Sequence, residues 1–202
     1  QTYVFDCDNS GYLLHIINDF IKEKSKNSKT NLFDGFFFLS CSEGESMPRS
    51  TDYPVDLFTS CLTSPARVAL LWHSRHYFCF QSGCLQPLPT FFVEDMNDKR
   101  KEIDKLLREL RSVLRCTVES MAYENMESDL FVKLFRTNHT LSELCVNFFL
   151  ACRILSFFNV HPVSYPELPD LTECSQWQTF DLRLDAALCQ IQSTENDDFD
   201  CK

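Results

Sequence analysis

Apolar residues recur along this chain with two different periods, and the change from one to the other divides it. Residues 2–7 (TYVFDC) form a short β-rich run that ends in a tight Asp8-Asn9-Ser10-Gly11 turn. Residues 12–24 then carry Leu13, Ile16, Ile17, Phe20 and Ile21 at helical spacing, so strand, sharp turn and helix are expected in that order. A polar loop rich in Lys, Ser and Asn follows over 22–30. Phe36-Phe-Phe-Leu-Ser-Cys41 is a continuous apolar run, the pattern of a strand covered on both faces. After a loop with two prolines over 42–54, residues 55–62 (VDLFTSCL) read as a further strand. Thr63-Ser64-Pro65 opens a helix to about His76, with proline in its favoured first turn.

Beyond the prolines at 87 and 89 the period is helical. From Asn97, Ile103, Leu106, Leu107, Leu110, Val113, Leu114, Val118 and Met121 mark about seven turns. Leu130, Phe131, Leu134 and Phe135 predict a short second helix. Thr140-Leu-Ser-Glu143 spells a capping box with Thr140 as N-cap, and Leu141, Leu144, Cys145, Phe148, Phe149, Cys152 and Leu155 share the face of the helix behind it. Residues 161–169 read as an extended Pro-rich linker. A fourth helix carries Trp177, Phe180, Leu184, Leu188 and Ile191. The expectation is an α/β unit over 1–92, an all-helical unit over 93–192 and a disordered acidic tail over 193–202.

Composition narrows the function classes. The 202 residues suffice for one or two domains, and 44% hydrophobic against 24% charged residues describe a globular chain. A net charge of −10 argues against nucleic acid as partner, because phosphate neutralisation needs a surplus of Lys and Arg. No apolar run approaches the ~18–20 residues of a membrane span. The chain begins with Gln1, shows no leader, and is expected to have lost its N-terminus. The 11 cysteines are odd in number and scattered singly, which fits reduced, mostly buried thiols of a cytoplasmic protein better than a disulfide scaffold.

Two constellations could carry chemistry. The Asp6–Gly11 turn lies at the carboxyl end of a strand, where α/β sheets build their sites, and Cys7 is a candidate nucleophile there. A thiolate needs a base, usually His. Here Asp6 and Asp8 flank the thiol instead, and two carboxylates raise its pKa. His73, His76, Cys79 and Cys84 are zinc-ligand types at compact spacing, although the spacing matches no established zinc pattern. Asn138-His-Thr140 spells a glycosylation sequon, read here as chance. The basic stretch over 99–115 reads as a solvated helix face. No phosphate-binding Gly-rich loop and no Gly-x-Ser-x-Gly elbow occurs.

Several segments resemble the Raptor family, scaffold subunits of target-of-rapamycin (TOR) complex one. Tyr3-Val-Phe-Asp-Cys-Asp-Asn-Ser-Gly11 is similar to that family's strand and turn. The 19-residue block Pro54-Val-Asp-Leu-Phe-Thr-Ser-Cys-Leu-Thr-Ser-Pro-Ala-Arg-Val-Ala-Leu-Leu-Trp72 carries the likeness furthest. Asp129-Leu-Phe-Val-Lys-Leu-Phe-Arg136, Asn147-Phe-Phe-Leu-Ala-Cys-Arg-Ile154, Pro162-Val-Ser-Tyr-Pro-Glu-Leu-Pro169 and Trp177-Gln-Thr-Phe-Asp-Leu182 follow in the family's order. The resemblance covers about residues 2–192, with gaps near 24–33 and 77–98.

The resemblance implies the end of a caspase-like α/β domain followed by the start of armadillo/HEAT-like helices. It also implies a non-catalytic scaffold without cofactor. Such a scaffold would bind TOR kinase, substrate proteins with short TOR-signalling motifs and Rag-type GTPases, in the cytoplasm or at the lysosomal or vacuolar surface. In active relatives of the caspase clan the nucleophile follows the small residue of an Asp-Ser-Cys-His-Ser-Gly turn. Laid on Asp6, Cys7, Asp8, Asn9 and Gly11, that position falls on Asp8, which makes the turn degenerate. The alternatives are a caspase-like cysteine peptidase with Cys7 as nucleophile and a zinc-bound interaction module.

Overall fold

A computed structural model describes residues 1–27, 35–78 and 100–196. Three strands, β1 (Thr2–Phe5), β2 (Phe36–Leu39) and β3 (Val163–Tyr165), form one sheet in the order β1-β2-β3. β1 and β2 run parallel, with Thr2 opposite Phe36 and Phe5 opposite Leu39. A parallel pair needs a crossover, and α1 (Leu13–Asn27), entered through the 3₁₀ turn Ser10–Tyr12, lies between them in sequence. The expected strand, turn and helix are therefore present. β2 is central: Phe36, Phe38 and Leu39 are buried. Phe37 is half-buried on the opposite face, where its ring stacks 4.9 Å from that of Tyr3 and lies 6.3 Å from that of Tyr165.

β3 corrects the reading of 161–169 as a linker. Val163 pairs antiparallel with Leu39 and Tyr165 with Phe37. The prolines at 162 and 166 flank this strand rather than interrupt it. They cost no ladder bond at the end of a strand on the sheet's edge.

Residues 55–62, expected as a strand, also differ. Val55 is 94% exposed, and Leu57–Thr63 is helix α2, with Leu57, Phe58 and Cys61 buried. The segment VDLFTSCL satisfies both periods, and a short apolar run does not choose between them. Tertiary contacts decide: the Phe58 ring meets Phe148 edge-on at 6.2 Å, and Asp6 reaches the helix start from the sheet. Asp56, the N-cap by position, makes no side-chain cap bond, and Asp6 Oδ2 instead accepts from the Thr59 amide (3.2 Å) and hydroxyl (2.6 Å). An N-cap carboxylate contributes about 1 kcal/mol. Asp6→Ala should lower unfolding free energy by that order and speed amide exchange at Thr59.

α3 (Pro65–His73) starts at the expected proline and is buried nearly all round, as a central helix must be. It stops three residues before the expected end, passing into a π-type turn, Ser74–Phe78. Around it pack α4 (Arg100–Asn125), α6 (His139–Ser156) and α7 (Trp177–Asn196), while α5 (Ser128–Phe135) packs on α4 and α6. Of the predicted α4 stripe, Ile103, Leu107, Leu110, Leu114, Val118 and Met121 are buried, while Leu106 and Val113 sit half-covered at its border.

The cap of α6 lies two residues before the expected one. Asn138 is its N-cap, and its side-chain oxygen accepts from the Leu141 amide at 3.2 Å. Glu143, the far member of the expected capping box, pairs with Arg115 of α4 instead. One continuous hydrophobic core runs from Phe36 to Ile191. The expected 92/93 boundary and most of the expected acidic tail lie outside the described residues.

Candidate functional site

The turn between β1 and α1 and the loop after β2 are fastened together at the carboxyl ends of the two parallel strands. Each polar residue of the turn has a partner. The Cys7 amide donates to Ser40 Oγ (3.1 Å), which donates back to the Cys7 carbonyl (3.0 Å). Asp8 Oδ1 accepts from the Met47 amide (2.7 Å), and Oδ2 lies 3.9 Å from Arg49. Asn9 is left-handed (φ 57°); its amide donates to the Glu45 carbonyl, and its Oδ1 accepts from the Gly44 amide at 2.7 Å. Ser10 is buried, donating to the Cys41 carbonyl and accepting from the Cys41 amide. Gly11 lets the two backbones touch: a Cβ there would sit 2.5 Å from the Glu43 nitrogen.

The same loop is fastened to the segment entering β3. Glu45 accepts from the His161 amide (2.7 Å), the Ser42 amide (3.0 Å) and His161 Nδ1 (2.7 Å), and Ser42 Oγ donates to the His161 carbonyl. Partial burial alone would raise the Glu45 pKa. The bonds from the His161 ring and from the His161 and Ser42 amides outweigh it and hold the carboxyl below its usual value. A depressed carboxylate pKa means stability that is present above the unfolded value and lost as pH falls through the folded one. Urea midpoints should therefore fall on acidification below about pH 4.5, and Glu45→Gln should blunt that dependence.

These contacts bear on the candidate nucleophile. Cys7 is exposed, and no hydrogen bond from a histidine reaches it among the described residues. Nearby, His15 bonds Glu43 (2.9 Å) and His161 bonds Glu45. The Asp8 carboxylate fixes the loop at Met47. The cysteine-peptidase alternative finds no support in this arrangement. Burial pushes the Cys61, Cys145 and Cys152 thiols well up, which keeps them protonated and inert. Of the described cysteines three are buried, two half-buried and three exposed, so burial is less general than expected.

The four zinc candidates are not assembled as a group in the described residues. His73 is buried, its Nε2 2.8 Å from Asp185 and its Nδ1 3.9 Å from Asp181. His76 Nδ1 lies 2.8 Å from the Trp72 carbonyl and 3.1 Å from the Tyr53 hydroxyl. Cys79 and Cys84 lie outside the described residues, and no cluster of three or more metal-ligand types occurs within them.

A second polar assembly had no signal in the sequence. Arg153 of α6 lies between the rings of Trp72 (5.2 Å) and Trp177 (4.6 Å) and forms a two-pronged pair with Asp181 of α7, both bonds 2.8 Å. In the sequence Trp177 stands on a helix face, and Arg153, Asp181 and Trp72 occur only within segments that carry the family resemblance. The Arg153–Asp181 pair, β3 and the 167–175 segment line a groove of about 1120 Å³.

No family model matches the chain. It is 29% identical over 189 residues to "Regulatory-associated protein of TOR 2" of Oryza sativa subsp. japonica, covering 94% of this chain and 14% of that protein. Against "Protein raptor homolog" of Dictyostelium discoideum the identity is 33% over 158 residues, 78% of this chain and 10% of that one. The crystal structure of Chaetomium thermophilum Raptor superposes with a TM-score of 0.79 at 29% identity, over 95% of this chain and 17% of that chain. The described fold is thus a helix-rich assembly around a small mixed sheet, of the kind present in TOR regulatory subunits. The chain belongs to the Raptor family and spans about 14% of the length of the curated relatives it matches first.

Proposed function

We propose that this segment serves in a non-catalytic scaffold of TOR complex one, a protein that binds TOR kinase and brings substrates and regulators to it. The observation that carries the reading is the superposition on a Raptor chain over 95% of these residues, helices and mixed sheet together. Relatives named as target of rapamycin complex 1 subunits, in Saccharomyces cerevisiae and Schizosaccharomyces pombe, align over 94% of the chain as well. The finer parts of the reading belong with it. The α/β portion to residue 92 is the end of a caspase-like domain, and the helices beyond it begin an armadillo/HEAT-like array. The turn at Asp6, Cys7, Asp8, Asn9 and Gly11 is a degenerate peptidase turn kept as a structural clasp. TOR-motif substrates and Rag-type GTPases are the partners, met in the cytoplasm or at a lysosomal or vacuolar surface. No helix among the described residues is long and apolar enough to cross a membrane.

Two measurements on the complete protein test this. TOR kinase should co-purify with it, and failure to do so sinks the scaffold reading. Incubation with a mixed peptide library should give no turnover, and Cys7→Ala should leave kinase binding intact, costing at most about 1 kcal/mol of stability. Turnover that disappears with Cys7→Ala would instead establish the peptidase.

A further inference from the structure

The groove beside the Arg153–Asp181 pair has a floor and a rim of different chemistry. The floor is aromatic and aliphatic: Phe149 of α6, Trp177 of α7, and Leu168. All three residues of β3 line it, although neighbours on a strand face opposite ways. A strand does this when its edge, rather than one face, borders the space. β3 is an edge strand of the described sheet. The rim is acidic. Glu167, Asp170 and Glu173 line it and are exposed. Asp170 is occupied in part by the amide and hydroxyl of Thr172. The one guanidinium in the lining, that of Arg153, is already neutralised by Asp181, so the groove presents a surplus of negative charge.

We propose that this groove binds an extended segment of a partner protein in which apolar and basic residues alternate. Such a segment can add to the edge of β3 through main-chain hydrogen bonds, which supply sequence-tolerant affinity. Alternation then sends one set of side chains to the aromatic floor and the other to the carboxylate rim. The charge of the rim chooses the sign of the partner, because like charges brought together across an interface are repelled. The inference goes beyond the scaffold reading and does not depend on it: the kinase test above can fail while this site stands, and the reverse.

The test uses the full 202-residue chain and two fluorescent, terminally blocked heptapeptides, one alternating Lys and Leu and one alternating Glu and Leu, in fluorescence polarisation. The Lys/Leu peptide should bind and the Glu/Leu peptide should not. Glu167→Lys/Glu173→Lys should weaken binding about tenfold with an unchanged melting temperature, since both side chains are exposed. Glu102→Lys/Glu109→Lys changes net charge equally on α4, outside the groove, and should leave affinity within about twofold. Amide shifts on titration should centre on β3 and the start of α7. Binding of both peptides alike, binding of neither, or equal loss in the two double variants would each overturn the proposal.

Discussion

Phe38→Asp should abolish the folded state. Phe38 is 1% exposed at the centre of β2, and its ring lies 4.7 Å from that of Phe148 on α6. Removing a buried phenylalanine costs about 3–5 kcal/mol through lost burial and the cavity left behind. A carboxylate placed there must stay charged in an apolar core or take up a proton, at a further cost of several kcal/mol. Together these match the whole stability of a typical domain, about 5–15 kcal/mol. Circular dichroism should show no cooperative thermal transition near neutral pH. Phe38→Leu, which keeps most of the volume, should retain one with a lowered midpoint. Phe37→Asp should be milder, because that ring lies half-buried on the other face of the sheet. A cooperative melt for Phe38→Asp near the wild-type temperature would contradict the placement of β2 against α6.

Asp181→Ala should cost about 3 kcal/mol. The side chain of Arg153 is 11% exposed and that of Asp181 22%, so neither charge is well hydrated once its partner is gone. Breaking a buried pair from one side is expensive because it strands the other charge. Arg153 would keep its two tryptophan rings, each worth about 0.5–2 kcal/mol to a cation, which tempers the loss. Exchanging both charges for apolar groups, Arg153→Met with Asp181→Leu, should recover much of the stability, since well-packed apolar replacements of buried pairs are often neutral. Denaturant titration of the single and double variants reads this directly. Equal losses in both would mean that the pair acts through its shape rather than its charge.

The limits of the sequence follow from the range of the forces involved. Periodicity is local, so α1, α4, α5 and α7 were legible from their apolar stripes, and β2 from its unbroken apolar run. α2 was misread because eight residues with two valid periods are settled by neighbours distant in sequence, chiefly Asp6 and Phe148. The N-cap of α6 was misplaced because Asn138 and Thr140 are both competent caps. The choice between them turns on Arg115, 28 residues away, drawing Glu143 toward α4. At the candidate site, Asp6–Gly11 stood out as a turn at a strand's end. Its lock did not, because Ser40, Glu45 and His161 lie on three separate stretches with no shared motif. Arg153 and Asp181 lay inside amphipathic patterns that predict burial of their neighbours and are silent about their own partners.

The clasp between Ser42 and His161 joins residues 119 apart in the chain, and β3 pairs with β2 over a slightly longer separation. On a ribosome adding about 5–20 residues per second, β1 and β2 emerge on the order of ten seconds before β3, which pairs with the other side of β2. In that interval the edge of β2 that β3 will cover exposes unpaired amides and carbonyls beside Phe36, Phe37 and Phe38, a template for pairing with another nascent chain. Contacts of such high sequence separation form slowly even in a released chain. Chaperone demand during synthesis should therefore centre on the window between the emergence of β2 and that of β3, and ribosome profiling of chaperone-bound nascent chains would locate it there.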